Sequence, residues 1–157
     1  MTASTISGKC LCGQISVSVS QDAFNKTENI GICYCKNCRQ SGGCLASYNL
    51  YLSEGDVKIQ GQPKLYQDPN TDSGTTVERA FCSNCGSPVY GKNPQFIGLI
   101  AVRLGLFDQL PKPGMALYCK NRPDWNKATI DGIQEHEAMP KLTEDLKKWL
   151  QEKGVSI

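Results

Sequence analysis

The chain has 157 residues, 39% of them apolar, with 17 lysines and arginines against 15 aspartates and glutamates for a formal net charge of +2. That is the length of one domain of ordinary size with a modest core. A near-neutral chain without a basic block has no electrostatic footprint for nucleic acid, no stretch approaches the roughly 20 apolar residues of a membrane span, and the opening MTASTISGKC lacks the apolar run of a secretory leader.

In chain order, the first marked feature is a C-x-C step, Cys10 and Cys12, within Gly8-Lys9-Cys10-Leu11-Cys12-Gly13. Residues 14–20 then alternate Ile15, Val17 and Val19 with serines, the pattern of a half-buried strand. Cys33, Cys35 and Cys38 form C-x-C-x-x-C, and Cys44 stands alone. Short strands are expected at 47–52, 57–59 and 64–67. The Pro, Asn, Asp and Gly content of 68–74 marks a loop. A β-prone stretch at 75–81 delivers Cys82 and Cys85, a C-x-x-C followed by Gly86. Residues 96–104 are the most apolar run and read as a central strand, with Gly98 marking a bulge or a close contact. Pro111 and Pro113 interrupt the chain before a short strand at 115–119, which contains the second lone cysteine, Cys119.

A helix is expected at about 143–153. Thr143 can cap it, Glu144 and Asp145 favour its N-terminal end, Leu142, Leu146, Trp149 and Leu150 form an apolar stripe, and Lys153 and Gly154 end it. Linkers, repeats and low-complexity stretches are absent from the sequence. The expectation is a single mostly-β domain with a C-terminal helix.

The cysteines carry the functional information. Nine in 157 residues is about 6%, below the roughly 8–10% of a disulfide scaffold. The odd count and the absent leader suggest a reducing, cytoplasmic compartment, where clustered thiols bind metal or do redox chemistry. In C-x-x-C a tight turn brings both sulfurs to one side, and a following glycine at positive φ lets the chain fold back over them. C-x-C puts both side chains on one face of a strand end. Three such groups favour zinc, and the ferredoxin spacings of iron–sulfur proteins are missing.

Seven clustered ligands divide as four plus three. Four thiolates close a structural zinc site, whereas three leave a position open, as catalytic zinc sites do. Cys33, Cys35 and Cys38 are the natural open set, since one short segment supplies all three; Cys10, Cys12, Cys82 and Cys85 would clip the two ends of a sheet. Alternatively, Cys44 or Cys119 completes a second structural site. A redox dithiol at Cys82/Cys85 is a poorer reading, because the motif precedes a strand instead of opening a helix.

The three motifs, Gly8-Lys9-Cys10-Leu11-Cys12-Gly13, Cys33-Tyr34-Cys35-Lys36-Asn37-Cys38-Arg39 and Arg79-Ala80-Phe81-Cys82-Ser83-Asn84-Cys85-Gly86, together with Lys120-Asn121-Arg122-Pro123-Asp124-Trp125 and Met139-Pro140, resemble the glutathione-dependent formaldehyde-activating enzyme family, which also contains the centromere protein V-type domains. The likeness spans about residues 9–140. It implies a β-tent fold of packed antiparallel sheets, a structural zinc on Cys10, Cys12, Cys82 and Cys85, and a second zinc on Cys33, Cys35 and Cys38 whose free position takes the thiol of glutathione. The activity implied is that of a carbon–sulfur lyase. Two positions depart from the family pattern, Tyr34 and Ala116, where histidines are common.

An anionic thiol needs cations near the sulfur. Lys36 and Arg39 flank the triple, and Lys120 and Arg122 lie in the later motif; arginine is the better clamp for a carboxylate. Arg39, Lys120, Arg122 and Trp125 are therefore the candidate substrate contacts, with a core position the simpler expectation for Trp125. Tyr34, beside the ligands, could donate a hydrogen bond to a developing oxyanion. His136 sits in a polar stretch and is expected to be exposed. The alternative function is a non-catalytic zinc module that binds a protein partner.

Overall fold

A computed structural model describes residues 4–126, 130–140, 144–152 and 154–156. The alternating segment around Ile15–Val19 forms β2 (Ser16–Ser20), which pairs with β1 (Thr5–Lys9) on one side and β5 (Lys58–Gln60) on the other to make a three-stranded antiparallel sheet. The remaining strands are β3 (Ile30–Cys33), β4 (Ser47–Ser53), β6 (Lys64–Asp68), β7 (Val77–Phe81), β8 (Pro88–Lys92), β9 (Leu99–Arg103), β10 (Met115–Leu117) and β11 (Gln134–Glu135). They form an eight-stranded sheet in the order β11-β10-β3-β4-β9-β8-β7-β6. Its ladders are antiparallel except at β10, which runs parallel to both β3 and β11. Among the described residues three α-helices complete the fold: α1 (Gln21–Asn25), α2 (Lys36–Gly42) and α3 (Glu144–Glu152).

The expected mainly-β architecture of packed sheets with a C-terminal helix is what the chain adopts. The 96–104 run is shorter as a strand than its composition suggests: β9 starts only at Leu99, because Gly98 turns at φ +88°. Gly98 is also a close contact, since a β-carbon there would stand 3.4 Å from the Gly154 carbonyl oxygen. Of the C-terminal helix, Thr143, Leu142 and Lys153 and the side chains of Asp145 and Leu146 lie outside the described residues. Leu150 is buried, and Gly154 ends the helix at φ +74° with its N–H on the Gln151 carbonyl.

One core fills the space between the sheets. Val17 and Val19 of the small sheet meet Leu50, Leu52, Ile100 and Val102 of the large one, with Phe24 of α1 packed on Phe107 at a ring separation of 5.0 Å. On β4 the core takes Leu50 and Leu52, so the two-residue period turns Ser47, Asn49 and Tyr51 to the opposite face of the sheet. That second face, shared by Leu99, Ala101 and Arg103 of β9, lines a cleft.

β1 passes close against the turn after β9 at Gly8. A β-carbon there would lie 2.6 Å from the Leu106 carbonyl oxygen, in the turn after β9. Gly8→Ala is therefore expected to force backbone apart and destabilise the protein by about 2 kcal/mol. Chemical denaturation of the two proteins, compared at equal slope, checks this.

Candidate functional site

Cys10 follows β1 and Cys12 lies in the turn that leads to β2; Cys82 and Cys85 lie in the turn between β7 and β8. The two turns are built alike. In the first, Gly13 at φ +75° donates its N–H to the Cys10 carbonyl, and Cys10 donates to Ile15. In the second, Gly86 at φ +76° donates to the Cys82 carbonyl, and Cys82 donates to Ser87. The glycines thus take the conformation the motifs call for.

All four sulfurs lie within 4.8 Å of one another, with Cys10–Cys12 and Cys12–Cys82 separations of 3.6 Å. The cluster joins the small sheet to the large one, rather than two ends of a single sheet as the spacing suggested. Ser87 ties the turns together, its Oγ accepting the Leu11 N–H at 3.2 Å and lying 3.2 Å from the Cys85 sulfur. Hydrogen bonds from the Ser87 hydroxyl and backbone, and from the Cys12 backbone, hold the Cys85 thiol down at about 5. Cys82 receives a backbone hydrogen bond from Cys85 that favours its thiolate, but burial and the neighbouring thiols push it up to about 11.

The second cluster forms where β3 passes into α2. Cys33 ends the strand, Cys35 caps the helix by accepting the Cys38 N–H on its sulfur at 3.3 Å, and Cys38 lies in the first turn. Their sulfurs also fall within 4.8 Å of one another. Hydrogen bonds within the trio hold the Cys33 thiol far above its ordinary value and the Cys38 thiol far below it, with Arg103 and Ser47 adding to the pull on Cys38. Among the described residues no fourth ligating side chain joins this group. Cys119 is buried with Tyr34 and Ala116, and Cys44 is exposed with its thiol on the Ala46 carbonyl.

The trio opens onto a cleft of about 180 Å³. Tyr51 and Tyr118 line it as well, packed against the cysteines. Burial and the nearby cysteines raise both phenols, Tyr118 to about 12 and Tyr51 well above its usual value, so both stay protonated. The Tyr51 oxygen accepts the Asn49 amide at 3.4 Å, which leaves its own O–H free to donate. A β-carbon at Gly31 would stand 2.9 Å from the Tyr51 ring, so a glycine is needed where that ring crosses β3. Tyr118 sits at φ 56°, the one non-glycine residue at positive φ among those described, a strained conformation of the kind that concentrates at functional sites.

Three cations line the cleft. Arg79 is held by Asp68 at 2.7 Å, and Lys92 by Glu54 at 2.8 Å. Arg103, only 8% exposed, has no carboxylate partner among the described residues; it donates to the Asn49 side-chain oxygen. The same Asn49 amide donates to Ser47 at 2.9 Å, and the Ser47 hydroxyl reaches Cys38.

The substrate contacts expected from sequence fall elsewhere. Tyr34 lies between Cys33 and Cys35 and therefore points to the other side, against Ala116 and Cys119, and cannot act on an oxyanion in the cleft. Arg122 follows it there: it makes a two-pronged ion pair with Glu135 at 2.6 and 3.1 Å and lies over the Tyr34 ring. Lys120 is exposed and lies over the Tyr118 ring without lining the cleft. Arg39 is half-buried on α2 and does not line it either. Trp125 is 79% exposed, neither core nor wall. His136 is half-buried, not exposed as expected, and its backbone bridges Ala116 and Cys119. The residues that sequence reasoning missed are Arg79, Arg103, Tyr51 and Tyr118. The spacing of Tyr51 from the buried Leu50 and Leu52 would have placed it on the cleft face.

Fold and clusters together define a mainly-β protein with two cysteine sites able to hold metal. Residues 5–121 match the family described as glutathione-dependent formaldehyde-activating enzyme, and the chain belongs to that family. A Halomonas elongata protein assigned to the glutathione-dependent formaldehyde-activating enzymes is 30% identical over 129 residues, covering 76% of this chain and 78% of its own. A Schizosaccharomyces pombe protein described as an uncharacterised lyase is 29% identical over 98 residues, covering 57% and 63%. A crystal structure of a Rhodobacter sphaeroides protein superimposes with a TM-score of 0.52 at 20% identity, over 67% of this chain and 90% of that one, a likeness of fold.

The two clusters should separate by mutation. Cys82→Ser breaks the link between two turns some 70 residues apart in sequence and should cost the protein its metal there together with a large share of its stability, about 3 kcal/mol or more. Cys38→Ser removes a ligand from a set spanning only Cys33 to Cys38 and should leave a folded protein lacking one metal. Thermal melts with metal analysis of both variants decide it; equal destabilisation would make the trio structural.

Proposed function

We propose that the chain is a zinc-dependent enzyme of the carbon–sulfur lyase or synthase type, acting in a reducing cytoplasm on the adduct of a carbonyl compound with glutathione or a related thiol. The observation that carries this reading is the division of the clustered thiols into a group of four between the sheets and a group of three opening on a cleft. The sulfur geometry fits zinc: a tetrahedron with Zn–S bonds of about 2.3 Å has S–S edges of about 3.8 Å, close to the 3.6 Å separations in the larger cluster. When bound to Cys33, Cys35 and Cys38, zinc would supply an open coordination position that holds a substrate thiol as its thiolate.

The protein's own groups do the rest. In the synthetic direction the substrate sulfur adds its electron pair to the carbonyl carbon, and the carbonyl π pair moves onto oxygen, which needs a proton. Tyr51 and Tyr118, in the cleft beside the trio, are neutral O–H donors for that oxygen. Donation leaves a phenolate; in the reverse direction that phenolate takes back the proton of the adduct's hydroxyl as the carbonyl re-forms, the carbon–sulfur bond breaks and its electron pair returns to sulfur. Arg103 supplies a fixed positive charge beside Cys38 that favours an anionic sulfur over water.

The first test is a metal count with a glutathione titration. About two zincs per chain and saturable binding are expected; one zinc and no binding would end the reading. Among the arginines, Arg103→Met should weaken thiol binding about tenfold, whereas Arg39→Ala and Arg122→Ala should leave it within about twofold. Tyr51→Phe should lower kcat by about a hundredfold with thiol affinity retained, as expected for loss of a positioned proton donor. Calorimetric titration and steady-state kinetics of the four variants provide the comparison.

A further inference from the structure

We infer that the cleft accepts an adduct whose carbon part is an apolar group of about six to eight non-hydrogen atoms, aryl or branched alkyl, and not a one-carbon unit. This deepens the preceding reading and rests on it: Cys33, Cys35 and Cys38 are taken as the site that receives the substrate sulfur.

Size is the first ground. The cleft holds about 180 Å³. An apolar cavity of about 150 Å³ stays dry and binds benzene. A hydroxymethyl group, with two non-hydrogen atoms, would leave most of that space unfilled, and its lining would forgo the contacts that a larger group makes.

The walls are the second. Phe96, Leu99, Ala101, Met115, Met139 and Trp149 all face the cleft, and each is only half-buried. Six apolar side chains around one hollow, all left part-wet by folding, form a site that gains by being covered. They come from β9, the turn before it, β10, the segment after β11, and α3. The surface they enclose leads down to the cysteine trio, which fixes what covers them: the group attached to the sulfur-bearing carbon.

Most polar side chains of the lining point the same way, because neighbouring groups already hold them. Asn37 donates to Asp68 at 2.9 Å and to the Asn70 carbonyl at 2.8 Å, and Arg79 donates to the same Asp68. Lys92 is held by Glu54. Thr71, Ser73, Thr75 and Asn93 form a chain of hydrogen bonds of 2.8 to 2.9 Å. The lining as a whole presents almost all carbon to the cleft. Glutathione brings two carboxylates and an ammonium group, and only Arg103 is without a carboxylate partner among the three cations in the cleft. The tripeptide body therefore has no place inside, and the interior is left for an apolar substituent.

Small thiols of similar acidity test this directly. Benzyl mercaptan, 2-mercaptoethanol and glutathione are titrated calorimetrically into the metal-loaded protein. Benzyl mercaptan should bind at least tenfold more tightly than 2-mercaptoethanol, since even one methylene in an apolar pocket is worth about tenfold or more. The advantage should fall below threefold in Phe96→Ala, a change at the cleft rim that spares the sheet, and in Leu99→Asn. If 2-mercaptoethanol binds within threefold of benzyl mercaptan, the apolar assignment is overturned while the thiol site stands. If benzyl mercaptan keeps its advantage in both variants, its selectivity arises outside this cleft and the assignment is likewise overturned. If none of the three thiols binds, the thiol site and the assignment fall together.

Discussion

The register of β4 against β9 governs the rest of the molecule. Leu50 lies opposite Val102 and Asn49 opposite Arg103. The first pair, fully buried, closes the core against the small sheet, and the second builds the wall of the cleft. Side chains on a strand alternate, so a slip of β4 by one residue would exchange its faces: Leu50 and Leu52 would enter the cleft, and Asn49 and Tyr51 would enter the core. The hydrophobic free energy that fixes the pairing therefore also fixes the polar constellation behind the cysteines. Neighbouring strands repeat the arrangement, with Cys33 opposite Ser47 and Gly91 opposite Ala101.

Arg103 is the place where this arrangement costs stability. A buried guanidinium without a charged partner is unfavourable by several kcal/mol, and Asn49 satisfies only part of its five-donor fork. Arg79 and Lys92 each have a carboxylate, so the missing counter-charge belongs to the thiols beside Arg103 and to whatever joins them. On the proposed reading, three thiolates on a divalent cation would sum to −1, and Arg103 would bring the neighbourhood close to neutral. A further anionic ligand then meets far less repulsion than the bare cluster would impose. Charge at the trio and stability of the sheet are linked through one side chain.

The cysteine groups were legible in the sequence because their information is local: short spacing, a glycine at the turn, and a count that divides unevenly. Strands with clean alternation, such as that of Val17 and Val19, were legible for the same reason. β3 and β8 were not, since a four-residue segment containing Gly31 and a five-residue one containing Pro88 and Gly91 carry too little β signal to stand apart from their turns. α2 was hidden because its seven residues run into Gly42 and Gly43 and its cap is the sulfur of Cys35. The choice of Tyr34, Arg39 and Arg122 rested on proximity in sequence to the cysteine motifs or to the family's later motif. The residues that share the cleft, Tyr51 and Arg103, come from strands brought beside β3 by long-range pairing, which spacing does not encode. For Tyr34 the signal was present: if Cys33 and Cys35 face one way, the residue between them faces the other.

The division into four and three thiols also separates two physical tasks. The cluster of four joins Cys10 and Cys12 of the small sheet to Cys82 and Cys85 of the large one. A metal bound there would crosslink a long stretch of chain and remove much of the unfolded state's freedom, since loop-closure entropy grows with the length enclosed. Cys33, Cys35 and Cys38 enclose almost nothing. Their positions are already set by the β3–β4 pairing and by the helix cap at Cys35, so a ligand exchanged at that site perturbs little of the fold. A group whose coordination must change during a reaction is best placed where the fold does not depend on it. The rigid strands behind it, β4 and β9, can then hold Tyr51 and Arg103 still while the ligand changes. The same logic accounts for the strain at Tyr118: the turn after β10 holds a phenol against the trio at a backbone cost that the surrounding packing absorbs.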